Sequence, residues 1–310
     1  MLTISVYAKA AGEIVVAMRY LLPKGVSHAH LYLYREDGRL LRQLTSSNSG
    51  QDQEPIFSPD GETIVFTRLK PRGVKEFWSI FPRGGGLHKL ASEPVWYAKS
   101  TSSPFFTDSS EQGPGWPAFP GQIPIPNPIP IPAQDSSVEL ILKTTKSYDD
   151  QLDGPGHGKQ YILHNLHTGE NTELGTLPGF VGLFDLLHDQ NHHYFLLEGA
   201  LKVAFFGLHL DSTDGDTVFA LDILHKRLVR LSPNWAAPIP LPEEPAFLTL
   251  TEALYVPIAG SSMTANCSYA ERWNANLKRV RYAFPGAAIC YGFSLYRPGK
   301  TPAVIIWRNE

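Results

Sequence analysis

Four carboxylates are the residues best placed by type and spacing to do chemistry. Asp52 and Glu54 stand two apart, just ahead of the apolar run 55–57. Asp108 follows residues 104–107, and Asp185 lies within the apolar run 181–187. Carboxyl groups gathered at a polar opening can divide proton transfer between an acid and a base. They can also hold a hard cation such as calcium through oxygen. The same side chains serve equally as acceptors for backbone amides of neighbouring strands, so both readings stand. Asp60 is different, because in Ser58-Pro59-Asp60-Gly61 its carboxylate belongs to a tight turn. His28 and His30, His164 and His167, and His192 and His193 would make a metal site only by converging. Their places at a strand start and at hairpin tips read instead as exposed or edge positions. The sequence contains no GxSxG, HExxH, CxxC or P-loop, so nucleophile-elbow, zincin and nucleotide-binding chemistry are unsupported. Cys267 and Cys290 allow one bridge or two buried thiols.

Strands and turns must position these groups. Residues 12–45 (GEIVVAMRYLLPKGVSHAHLYLYREDGRLLRQLT) and 61–91 (GETIVFTRLKPRGVKEFWSIFPRGGGLHKLA) are two copies of one unit, offset by 46–49 residues. A period of that size marks a solenoid, propeller or array. The second copy predicts four strands: 55–58, 62–69, 76–81 and 87–91. Between the first two, Pro59 presets φ, Asp60 bonds the local backbone and Gly61 takes a positive φ. In the second strand Ile64 and Phe66 alternate with Val65 and Thr67, the period-2 pattern of a strand.

The stretch FSPDGETIVFTR, followed by RGGGLHKLAS, resembles the repeat of TolB-type, WD40-like β-propellers, the module also used in prolyl oligopeptidase relatives. The resemblance implies an all-β chain: a single β-propeller of four-stranded antiparallel blades, five in number, with six as the alternative. The blades are expected at about 3–45, 53–92, 94–178, 180–232 and 246–308, with insertions at 108–136, 200–216 and 260–285. A short helix is expected near 269–277, and residues 202–216 are expected to be a loop with an apolar face. The five blades account for every strand; six would need strands hidden in the insertion or termini that share one blade. In this frame Asp52, Glu54, Asp108 and Asp185 are on or next to inner strands, which line the channel. TolB-like relatives are extracytoplasmic.

Residues 111–133 break the repeat with PAFPGQIPIPNPIPIPA. Proline at nearly every second position removes ladder donors and favours polyproline II, so no central strand forms here. Trp116 and Phe119 on this arm, with Trp96, Tyr97, Phe105 and Phe106 nearby, would wall a dry pocket if the arm were a lid. Padding of a blade's outer edge, a dimer contact or a docking element are the other uses.

The chain has 310 residues and a net charge of −3, with no basic surplus for nucleic acid. Its densest basic stretch, Arg68, Lys70, Arg72 and Lys75, falls at a strand–strand loop. No run approaches the ~18 apolar residues that span a bilayer. The first twenty residues lack a basic region followed by an apolar core, so a cytoplasmic home is expected. Two functions follow. One is a propeller that binds a protein or small ligand at one face of the channel, through Asp52, Glu54, Asp108, Asp185, Trp116 or Phe119. The other is an enzyme (hydrolase, lyase or cofactor-free cyclase or isomerase) acting on an apolar or carbohydrate-like molecule under the arm. No cofactor is called for, beyond structural calcium as a third option.

Overall fold

β-Branched and aromatic residues alternate with polar ones along much of this chain, and the backbone answers with antiparallel strands. The computed structural model describes residues 12–101, 107–108, 129–130, 138–144, 148–150, 154–179, 193–197, 203–208, 216–222, 227–234, 239–241, 246–274 and 278–308. They fall into two compact units. One draws on stretches within 1–117, 252–272 and 279–310, the other on stretches within 118–251 and 273–278.

In the first unit the two sequence repeats are two sheets. β1 (Glu13–Tyr20), β2 (Ala29–Arg35) and β3 (Leu40–Gln43) form a meander. β4 (Gln51–Phe57), β5 (Ile64–Leu69), β6 (Lys75–Ile80) and β7 (His88–Lys89) form the four-stranded sheet expected of the second copy. At its first turn Gly61 donates its amide to the Ser58 carbonyl, and the Ser58 hydroxyl donates to Asp60. Gly61 has φ +74°, and a Cβ there would run into the Tyr296 ring. The two faces of β5 are both buried. Ile64 and Phe66 join Val15, Leu31, Leu33 and Phe57 in one core. Val65 joins Ile56, Tyr97 and Ile306 in another, beneath α1 (Val95–Thr101). β8 (Thr107–Asp108) makes a short parallel pair with a C-terminal strand.

In the second unit β9 (Ile129–Pro130), β10 (Val138–Thr144), β11 (Tyr148–Asp150), β12 (Gly154–Asn165) and β13 (Asn171–Gly179) share a sheet. β9 is the described piece of the proline-rich arm and lies at the sheet edge, where a missing donor is tolerated. β14 (His193–Leu197), β15 (Val203–Leu208), β16 (Asp216–Asp222) and β17 (Arg227–Asn234) form the next meander. β18 (Ile239–Pro240) pairs the start of β19 (Phe247–Pro257). β15 corrects the expectation of a loop at 202–216: its Val-Ala-Phe-Phe run is a paired strand.

The chain then re-enters the first unit. β20 (Thr264–Trp273) replaces the helix expected near 269–277, and β21 (Arg279–Arg281) follows it. β19 is one long strand of 11 residues. β22 (Ala288–Tyr296), β23 (Ala303–Ile305) and β24 (Trp307–Arg308) close the sequence. β22 pairs along the whole of β1, giving the order β23-β22-β1-β2-β3. The five-blade count left no strand for the ends to share, but the C-terminal strand completes the N-terminal sheet, as the alternative of a shared blade allows.

Candidate functional site

Asp52 and Glu54 lie together on β4, yet each is already matched by a cation. Arg68 donates to Asp52 through Nε at 2.5 Å and through its terminal amino group at 3.0 Å. The two side chains are 0% and 3% exposed. The Arg68 guanidinium sits 4.5 Å above the Trp78 ring, a geometry that holds it in place. Glu54 accepts from the Thr67 hydroxyl at 3.0 Å and pairs with Lys75 at 2.8 Å. Its backbone φ is +53°, and its carbonyl accepts the Tyr97 hydroxyl. Beside them His30 keeps a buried Nδ1 without a hydrogen-bond partner, and burial lowers its pKa below the ordinary imidazole value.

A bulge creates the first pairing. Counted back from Phe57↔Ile64, regular pairing would set Arg68 opposite Gln53. The register shifts by one between Gln53 and Ile56, so Asp52 faces Arg68 and Gln53 faces Thr67. Glu54, in its left-handed conformation, takes up the extra residue. A bidentate, enclosed arginine–carboxylate pair is a structural contact, and it leaves Asp52 no access to a ligand. The other predicted residues do not join this pair. Asp108 lies on β8, with its backbone opposite Arg308. Asp185, Trp116 and Phe119 lie outside the described residues. Among the described residues no group of three or more His, Cys, Asp or Glu side chains is placed to hold a metal ion. No described helix is long and apolar enough to cross a membrane.

A pocket lies elsewhere, between β19 and the segment 260–285 expected as an insertion. It has a volume of about 320 Å³ and is walled by Ala253 and Val256 of β19, Tyr269 of β20, Arg281 of β21 and the turn Ala283, Phe284, Pro285 and Gly286. The Tyr269 hydroxyl donates to the Gly286 carbonyl at 2.7 Å, which fixes the turn against the strand. The Arg281 guanidinium lies 4.1 Å over the Tyr269 ring. It is anchored by the buried Glu271 carboxylate, at 2.8 Å from Nε and 2.7 Å from the terminal nitrogen. Arg279 approaches the same Glu271 oxygen at 3.5 Å. Two guanidinium groups thus share one carboxylate oxygen. Burial pushes the Tyr269 hydroxyl up to about 12 and raises the Cys267 thiol. Phe284 completes an aromatic trio with Tyr20 and Tyr32, and its amide donates to the Tyr20 hydroxyl.

The pocket did have a sequence signal, one of charge. Residues 253–309 contain seven basic residues (Arg272, Lys278, Arg279, Arg281, Arg297, Lys300 and Arg308) and a single acid, Glu271. The net charge of −3 hides this asymmetry. Arg272 and Arg297 are taken up by Glu36; Arg279 and Arg281 stand on β21.

No family model matches the sequence, and no curated protein matches it. Solved structures align along most of the chain. TolB from Acinetobacter baumannii is 11% identical, with a TM-score of 0.26 over 95% of this chain and 65% of that one. A putative 6-phosphogluconolactonase from Bacteroides fragilis is 11% identical, with a TM-score of 0.33 over 91% of this chain and 98% of that one. An oligogalacturonate lyase in complex with manganese is 10% identical, with a TM-score of 0.29 over 82% and 58%. The chain thus spans just under two thirds of that TolB. At these scores the likeness carries no argument about activity, and what those proteins bind or convert is said of them alone.

Proposed function

We propose that the chain is a propeller-type binding module whose antiparallel sheets serve as blades. Its ligand enters the pocket between β19, β20, β21 and the 283–286 turn. The observation that carries this reading is the Arg281 guanidinium, stacked on Tyr269 and braced by buried Glu271 at the wall of an otherwise apolar recess. Such a site suits a ligand with an apolar body and one negative charge. Binding is favoured over catalysis because the described titratable groups at the wall are Tyr269, raised to about 12, and an arginine. The Tyr269 hydroxyl holds its proton near neutral pH, where general acid–base work needs a group poised to exchange one.

Anilinonaphthalene sulfonate, an aromatic body with one anionic group, is a direct probe. Its fluorescence should rise on titration with the folded chain. Ala253→Trp and Val256→Trp, each filling the recess, should abolish the rise while the melting midpoint is retained. Unchanged titrations in folded variants would move the binding site away from this pocket.

A further inference from the structure

Around the pocket the surface is more apolar than a small ligand would need. Tyr255 and Met263, on the β19–β20 hairpin, are 73% and 63% exposed, and Phe284 at the pocket wall is 41% exposed. Leu22, also exposed, belongs to a loop fixed beside them. Leu21 donates its amide to the Ala287 carbonyl, and a Cβ on Gly260 would come within 3.6 Å of the Pro23 ring. Single exposed apolar residues need no explanation; Tyr255, Met263, Phe284 and Leu22 are four on neighbouring segments of the first unit. Lys24, on that loop, adds a positive charge there, and Arg279 stands on β21 beside Arg281.

We infer that this edge docks a segment of a partner protein in which aromatic or aliphatic side chains stand next to Asp or Glu. This inference rests on the binding reading above. An apolar side chain of the segment fills the recess, its neighbouring carboxylate meets Arg281 and Arg279, and the rest lies along Leu22, Tyr255 and Met263. Charge complementarity selects the acidic partner, and the exposed aromatic and methionine anchors are the residue types that carry such interfaces. A nucleic acid fits less well. A phosphate chain is held by several cations along a groove, whereas this recess has one guanidinium among Ala253, Val256, Ala283, Phe284 and Pro285.

Selection from a displayed library of random twelve-residue peptides, with the full folded chain as bait, tests the inference. Enriched peptides should pair an acidic residue with an adjacent aromatic or aliphatic one. Their binding should weaken at least about tenfold in Met263→Glu and in Arg279→Glu, which place like charge opposite the acidic segment. Both positions are substantially exposed, and Arg279→Glu leaves Arg281 on Glu271. The inference is overturned by enrichment no greater than on an unrelated protein, by enriched peptides without acids, or by binding indifferent to both variants. Displacement of the peptides by a thymidine oligomer overturns it in favour of nucleic acid. Failure here, with the sulfonate probe still lost in Ala253→Trp, removes the partner class and leaves the pocket.

Discussion

Replacing Asp52 by Asn leaves the Arg68 guanidinium enclosed, stacked on Trp78, and without its counter-charge. The pair is almost wholly out of water, so solvent cannot make good the loss. Removing one member of a buried ion pair typically costs about 3–5 kcal/mol, because the remaining charge is stranded. For a fold of this size that lowers the melting midpoint by on the order of 10 °C. Arg68→Met strands Asp52 instead and also forfeits the stacking, worth about 0.5–2 kcal/mol. The double variant strands neither charge, so its cost should fall well below the sum of the singles, with a coupling of about 2 kcal/mol or more. Urea unfolding of the four proteins, followed by Trp fluorescence, gives all the terms. A loss below about 1 kcal/mol for Asp52→Asn, or an additive cycle, would refute the reasoning. Asp52 would then again be a candidate for ligand chemistry.

Gly61→Ala should destabilise the chain by about 2–4 kcal/mol in the same assay, combining left-handed strain with overpacking on the Tyr296 ring; a loss within ~0.5 kcal/mol would contradict the turn geometry. Burial pushes Glu36 up, but hydrogen bonding to Arg297, the charges of Arg297 and Arg272 and the Gly12 amide outweigh it, so its pKa lies below the ordinary value. A carboxyl with a depressed folded pKa stabilises above its unfolded pKa and loses that contribution as pH falls through the folded one. Urea midpoints should therefore drop more steeply on acidification for the wild type than for Glu36→Gln, and parallel profiles would count against the cluster. Cys267 and Cys290 are free and buried, with the Cys290 thiol pushed up to about 12 by burial. Ellman's reagent should find no reactive thiol in the native protein and both on unfolding; a rapid native reaction would contradict their burial.

The regular repeat was legible because its turn and its alternation are local. Ser58 to Gly61 and the two faces of β5 lie where residue types alone place them. The partner of Asp52 was not legible, since one bulged residue at Glu54 moves Arg68 from Gln53 to Asp52. β20 was hidden for another reason. Thr-Ala-Asn-Cys-Ser-Tyr-Ala-Glu-Arg-Trp contains one β-branched residue, and Ala, Glu and Arg favour helix in isolation. Pairing within the sheet overrides that preference. β22 joins β1 across nearly the whole sequence, a contact that no local pattern announces.

Hydrogen exchange followed by mass spectrometry, with and without saturating anilinonaphthalene sulfonate, locates the binding site directly. Peptides covering 253–256, 269–271 and 279–286 should gain protection, and those covering 51–57 and 64–69 should not. Protection confined to the Asp52 and Glu54 strands, or to segments of the second unit, would contradict binding at the Tyr269–Arg281 pocket.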